Sequence, residues 1–237
     1  MAKFSIQVRF KGGLNPAQQG AFQQAAQRWA EVIVGDFPRV RLGTEIIEAL
    51  VIEASGKVID GSGGPDGDIL GQSAPTAFLP NGLPAFGFME FDKFNLGQLE
   101  ADGTLESVIL HEMGHVLGIG TVWADKGLLI GTGEANPLFT GKKADKEWKK
   151  LSGLPGNTLP VENRGGPGTE DSHWRETVFG SELMTGFISG ASKTQLAAGS
   201  TTTGRDQRSL GNLLAMDERS HCVAGCPASI QIWPVSD

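Results

Sequence analysis

Several residue types are scarce or absent in this chain of 237 residues, and each absence excludes some possible functions. Tyrosine is absent, which removes one residue type that could serve as a catalytic acid or as an oxyanion donor. No apolar run approaches the roughly 20 residues needed to span a bilayer. Residues 1–10 enter an alternating strand pattern at once, so we expect no signal peptide.

Cysteine and histidine are both rare. The only cysteines, Cys222 and Cys226, follow His221 near the C-terminus. They could form a small disulfide loop, remain reduced or bind a metal, so they indicate no particular redox compartment. The chain has four histidines. A metal site built on imidazole groups therefore has few candidate ligands.

Basic residues are fewer than acidic residues, and the formal net charge is −7. This balance argues against nucleic acid and anionic membrane as partners. With 39% hydrophobic and 20% charged residues, the composition is that of an ordinary globular protein with a sizeable core. We expect a monomer.

The first half of the chain alternates strand and helix patterns. Asn15 and Pro16 begin a helix of about five turns, as an N-cap residue followed by proline at the first helical position. Short apolar runs predict the strands, at residues 4–10, 46–53, 56–59, 69–77 and 86–91. Together with the helix described below, these elements predict a twisted mixed sheet backed by two helices.

The second half is richer in glycine and proline, and it contains one predicted helix at residues 142–151. Beyond residue 187 the sequence becomes small and polar, which is typical of a linker or a loose tail. Earlier in the chain, the aspartates of residues 60–68 could hold a calcium ion, although the loop does not match the EF-hand pattern and could equally be a solvated loop.

The strongest signal is an H-E-x-x-H pattern at residues 111–115. On a helix, His111 and His115 lie one turn apart on the same face, so both imidazoles can reach one metal ion. Glu112 projects beside them, where it can hold a water molecule at the metal. The apolar residues fall on the opposite side, which predicts an amphipathic helix with the histidine face open: Leu105, Ile109, Met113 and Val116. The alternative is two partly exposed histidines on an ordinary helix.

Two histidines leave a tetrahedral zinc two ligands short, and a catalytic site fills one position with protein and one with water. In the compact arrangement the third ligand follows three residues after Gly118, but that residue is Thr121, a poor zinc ligand. The third ligand must therefore come from further along the chain. The candidates are His173, His221 and a downstream carboxylate such as Glu134.

Three segments together resemble the leishmanolysin-like branch of the metzincin zinc endopeptidases. They are HEMGHVLGIGTVW (111–123), SHWRE (172–176) and ELMTGF (182–187). The resemblance implies that His111, His115 and His173 bind one zinc ion, that Glu112 is the catalytic glutamate, and that Met184 lies in a methionine turn below the metal. The tail departs from the family, because residues 190–237 do not look like its closing segment.

The resemblance also implies a fold, a division of the chain and a location. The fold would be an α+β, metzincin-like zincin fold, with a twisted mixed sheet and two long helices above the cleft and an irregular, loop-rich lower subdomain. The expected parts are an upper subdomain at 1–118, a lower one at 119–189 and an atypical, loosely ordered tail at 190–237. An extracellular or cell-surface location is implied.

The leading hypothesis is a zinc-dependent endopeptidase that cleaves peptide or protein substrates, with Glu112 as general base. One alternative is a noncatalytic zinc-stabilised binding or adhesion protein, although a structural site does not need Glu112. The other is a thermolysin-like hydrolase with Glu134 as third ligand. The sequence around Glu134, GTGEANPLF, lacks a helix pattern and argues against it.

Overall fold

The computed structural model places the chain in two compact units. The first includes most of the chain up to Gly118, and the second begins at Ile119 and also takes Val32–Val34. The structure describes residues 4–61, 69–152, 158–180, 182–187 and 232–234. Helices and strands are mixed in the first unit, so the fold is α+β.

The first unit is built on a four-stranded mixed sheet. Its strands are β1 (Ile6–Phe10), β4 (Leu50–Lys57), β5 (Gly71–Phe78) and β6 (Pro84–Asp92). They stand in the order β1-β4-β6-β5, in which β1, β4 and β6 are parallel and β5 runs antiparallel to β6. The strand β4 is buried on both faces over much of its length, as expected for a central parallel strand.

The unit contains three helices and a second small sheet. The helices are α1 (Pro16–Val32), α2 (Lys93–Ala101) and α3 (Leu105–Val116). The second sheet has the order β10-β2-β3 and pairs three antiparallel strands, β2 (Val40–Leu42), β3 (Glu45–Ile47) and β10 (Ile232–Pro234). Among the residues described, no helix is long and apolar enough to cross a membrane.

The start of α1 follows the predicted capping chemistry. The Gln18 backbone N–H donates to Asn15 Oδ1 at 2.8 Å, while the Asn15 N–H donates to Gln18 Oε1 at 2.9 Å. This reciprocal pair satisfies two backbone donors that the helix itself leaves without partners. The apolar stripe of α1 is buried, and Phe22 packs edge-on against Phe10 and Phe91 of the sheet. The first predicted strand and the first predicted helix are both confirmed.

The predicted series of strands and helices was wrong at two places. The single strand predicted at residues 46–53 is two strands, because β3 ends at Ile47 and β4 begins at Leu50. β3 instead forms a hairpin with β2, which turns at Gly43 with a φ of 60°. The pattern of apolar residues continues across the break, so it could not indicate where the chain changes sheet. The helix α2 was also missed.

Asp92 explains where α2 begins. Its Oδ1 accepts the Phe94 N–H at 2.8 Å, and its Oδ2 accepts N–H groups from residues 59–61, the nearest being that of Ile59 at 2.6 Å. Burial raises the pKa of this carboxyl group, but the four N–H donors outweigh it and hold the pKa below its usual value. Asp92 thus caps α2 and fixes the chain that leaves β4.

The second unit has little regular structure. Three two-residue strands form a small antiparallel sheet, β7 (Leu129–Ile130), β8 (Leu138–Phe139) and β9 (Leu159–Pro160). The helix predicted at residues 142–151 is present as α4 (Lys142–Ser152), and a short α5 covers Glu176–Phe179. The core is aromatic, because the rings of Trp123, Phe139 and Trp174 lie with centroids 4.5–5.3 Å apart and are all buried.

Three predictions fall largely outside the described residues. The calcium loop at residues 60–68 is described only at its first two residues. The tail at 190–237 is described only at Ile232–Pro234, which form β10. His221, Cys222 and Cys226 are not among the described residues.

Candidate metal centre

The helix that carries the H-E-x-x-H pattern packs closely on the sheet. A Cβ at Gly87 of β6 would lie 2.5 Å from Cγ1 of Val116, so only glycine permits this approach. From α1, the Trp29 indole N–H donates to the Leu110 carbonyl at 3.1 Å. The position of α3 is therefore determined by packing against β5 and β6 and by a hydrogen bond from α1.

This packing corrects one expectation about α3. The helix was predicted to bury one face and to leave the histidine face open. Instead Glu112, Gly114 and His115 are buried along with the apolar stripe, and His111 is half-buried. Glu112 is buried because β5 lies against it, through Gly71 and Ser73.

The two helical histidines meet as their spacing predicts. Their Nε2 atoms lie 3.0 Å apart, and the rings are nearly perpendicular, at 85°. One helical turn separates them, so they present two nitrogen atoms at one place. Two imidazole nitrogens arranged in this way match the donor pair that a zinc ion takes from a helix.

Glu112 lies between the histidines in sequence and against β5 in space. Its side chain is 7% exposed, and its Oε2 lies 2.7 Å from Oγ of Ser73. Burial raises the pKa of Glu112, while the electrostatic interaction with His111 and the hydrogen bond from the Ser73 hydroxyl partly offset that rise. Ser73 was not singled out from the sequence, because its contact with α3 depends on the sheet order.

Gly118 shapes the chain just after α3. The Leu117 and Gly118 N–H groups donate to Met113 and His115 carbonyls at 3.0 Å, and they close the helix. Gly118 then takes a φ of 105°, a conformation that residues with a Cβ rarely adopt. Gly118 therefore allows the chain to turn sharply as it leaves α3.

His173 belongs to the second unit and is held by its own loop. It is 5% exposed, and its Nδ1 lies 2.9 Å from the Thr169 carbonyl and 3.0 Å from Oγ of Ser172. A carbonyl can only accept, so Nδ1 carries the proton and the lone pair lies on Nε2. This is the tautomer that a metal-binding imidazole needs.

Further backbone contacts keep this loop in place. The Glu162 N–H donates to the His173 carbonyl at 2.8 Å, and the Asp171 N–H donates to the Glu162 carbonyl at 3.0 Å. Asp171 has a positive φ of 64°, which is uncommon for a residue other than glycine. Its carboxylate accepts the Gly133 N–H at 2.9 Å. The loop is thus determined by main-chain hydrogen bonds rather than by a helix.

A second close approach lies beside His173. A Cβ at Gly120 would lie 1.9 Å from the Ser172 carbonyl oxygen, and Gly120 also has a φ of 78°. The sequence analysis named Gly118 but missed Gly120. The alternating Gly118-Ile119-Gly120 pattern could have indicated a second tight backbone contact.

Met184 lies in a turn that borders the same loop. It is 1% exposed, and its carbonyl accepts the Trp174 N–H at 2.9 Å. Its own N–H donates to Oε2 of Glu182 at 2.7 Å. Two residues later, a Cβ at Gly186 would lie 3.5 Å from Cγ of His173. The methionine turn is therefore adjacent to the His173 ring.

Within the described parts of the chain, one group of side chains could hold a metal ion. It consists of His111, His115 and His173, whose ligand atoms all lie within 4.8 Å of one another. Three imidazole nitrogens are a donor set that suits zinc with one position left for water. Glu134, the alternative third ligand, is exposed and is not part of this group.

Comparison with protein families gives a match. A family model described as Leishmanolysin, a peptidase family, matches residues 62–199, which is more than half of the chain. The matched segment contains the H-E-x-x-H pattern, His173 and Met184. No curated protein matches the chain.

Proposed function

Because the chain belongs to the leishmanolysin family of metallopeptidases, we propose that it is a zinc-dependent endopeptidase whose general base is Glu112. The observation that carries the proposal is the histidine group, in which three ligand nitrogens lie within 4.8 Å of one another. The proposed ligands are His111, His115 and His173.

The chemistry of the donor set fits zinc. Three neutral imidazoles leave the ion its full positive charge, and the carbonyl of Thr169 holds His173 in the tautomer that presents Nε2. When bound, zinc supplies a Lewis acid that polarises the scissile carbonyl and lowers the pKa of a water molecule toward about 7.

Glu112 supplies the proton transfer in this proposal. Its carboxylate is adjacent in sequence to the first ligand and is buried, so it has little competing solvent. It accepts a proton from the attacking water and delivers it to the amine that leaves. In this proposal Met184 packs beneath the ligands and does not bind the ion. Its buried thioether acts as an adaptable packing group.

An extended substrate would bind along β5. In the sheet order β1-β4-β6-β5, β5 is the last strand, whereas β6 pairs on both sides. An edge strand offers backbone N–H and C=O groups that can pair with a peptide in extended conformation. We propose that the substrate is a peptide or an unfolded protein segment, that the enzyme acts as a monomer, and that it does so outside the cell or at its surface.

The competing function is a zinc-stabilised binding protein without catalysis. It predicts bound zinc but no peptide cleavage. The test is to measure zinc content and cleavage of a mixed peptide library by the same preparation, before and after chelation and after zinc is restored. We expect one zinc per chain, cleavage that chelator abolishes and zinc restores. Zinc at full occupancy without any cleavage would favour the binding protein.

A further inference from the structure

We infer that Ser73 is a positioning residue that holds Glu112 in its working orientation, an inference that rests on the proposed peptidase function. Ser73 lies on β5 and is partly exposed, and its hydroxyl group contacts Glu112 of α3. Its role is to act through Glu112, without itself touching the reacting atoms.

The first support is the alternation of side chains along β5. Residues 71 and 73 are two apart, so they lie on the same face of the strand. At Gly71 a Cβ would stand 3.2 Å from Cγ of Glu112, which shows that this face packs directly on the glutamate side chain. A glycine at 71 makes room for the glutamate, and the serine at 73 meets its carboxylate.

The second support is the hydroxyl group itself. Oγ of Ser73 lies 2.7 Å from Oε2 of Glu112 and 2.7 Å from the main-chain oxygen of the same residue. The single hydroxyl proton can be donated to either oxygen. One side chain of β5 therefore contacts both the carboxylate and the helix backbone that carries it.

These contacts restrict a side chain that is otherwise flexible. Glutamate has several rotatable bonds, and ordering it costs conformational entropy. A hydrogen bond to Oε2 selects one orientation and directs Oε1 away from Ser73, where it can receive the proton of water. Because proton transfer needs hydrogen-bond reach to the water, loss of this orientation should lower kcat.

The experiment compares Ser73→Ala with Ser5→Ala in the zinc-loaded protein. Ser5 is an exposed serine outside β5 and outside the histidine group, so its variant controls for the loss of a serine hydroxyl elsewhere in the first unit. We expect Ser73→Ala to lower kcat by about ten- to a hundredfold, as for loss of a hydrogen bond to a charged group. KM and zinc content should stay the same, and Ser5→Ala should match the wild type. An unchanged kcat, or a change only in KM or zinc content, would overturn the inference.

A double-mutant cycle with Glu112→Ala separates a positioning role from a general structural one. If Ser73 acts through Glu112, Ser73→Ala should have no further effect on the residual kcat once the carboxylate is gone, and the shifts in urea unfolding midpoint should be non-additive. Additive effects in both measurements would overturn the inference. If the wild type cleaves no peptide, the proposed function fails, while the unfolding cycle still decides whether Ser73 holds Glu112.

Discussion

The helix α3 and the loop around His173 contribute to the same proposed metal site by different physical means. In α3, the regular turn of the helix brings His111 and His115 together, and their Nε2 atoms lie 3.0 Å apart. In the loop, no regular element places His173. Its position depends on the Thr169 carbonyl, on a backbone hydrogen bond from Glu162 and on the close contact of Gly120 with Ser172.

Local sequence positions the two helical histidines, whereas tertiary contacts position His173. A helical pair needs only the right spacing, because the helix period carries both side chains to one face. The position of a loop residue depends on all of its contacts, because no single hydrogen bond fixes the orientation of its side chain. We therefore expect that replacing a functional group on α3 will impair the site. In the loop, we expect that adding side-chain volume will impair it.

The largest expected effect is a chemical change on the helix. Glu112→Gln keeps the size of the side chain and leaves the three histidines in place. Peptide hydrolysis should fall at least a hundredfold, since general-base catalysis contributes about 10²–10⁴-fold, while zinc content stays at the wild-type level. Steady-state kinetics on zinc-replete protein measures this. Full activity in the variant would remove Glu112 from the mechanism.

A pH titration should separate two carboxyl groups whose pKa values are shifted in opposite directions, Glu182 beside the methionine turn and Asp92 at the start of α2. Burial raises the pKa of Glu182, next to the methionine turn, to about 7, despite N–H donors from Met184 and Leu183. The folded state therefore binds this proton more tightly than the unfolded state. Stability from Glu182 is present below pH about 4.5 and is lost as the pH rises to about 7, by on the order of 3 kcal/mol.

Glu182→Gln should remove that loss. We expect the free energy of unfolding of the variant to exceed that of the wild type at pH 8 and to match it at pH 4.5, as measured by urea denaturation. Asp92 should behave in the opposite sense, since its pKa is lowered. Its contribution is present above the ordinary carboxyl pKa and is lost as the pH falls through the lowered value. An equal pH slope in Glu182→Gln and wild type would contradict the assignment.

A change of shape in the loop should have a somewhat smaller effect. Gly120→Ala would bring a Cβ to within 1.9 Å of the Ser172 carbonyl oxygen, so the loop must move. We expect a loss of about 1–3 kcal/mol in stability and weaker zinc binding, because Ser172 precedes His173. Gly127→Ala is the matched control, since Gly127 also has a positive φ, of 64°, but has open space around it. Equal losses in the two variants would mean that backbone strain, and not the contact with Ser172, is responsible.

The sequence predicted the helical part of the site better than the loop. The helical period indicated α3 and the histidine pair, and capping chemistry indicated the start of α1. His173 came only from the resemblance to a family and from the small number of histidines. Ser73 and Gly120 were missed because each meets its partner through tertiary packing, across 39 residues in the case of Ser73 and Glu112. The break between β3 and β4 was missed because apolar residues continue through it.

The most direct test of the account is the zinc content of two histidine variants. His173→Ala removes the proposed third ligand, whereas His221→Ala removes the fourth histidine of the chain, which is not a proposed ligand. Elemental analysis after dialysis against a weak chelator should show one zinc per chain in the wild type and in His221→Ala, and a sharp loss in His173→Ala. Zinc retained in His173→Ala and lost in His221→Ala would contradict the proposed site.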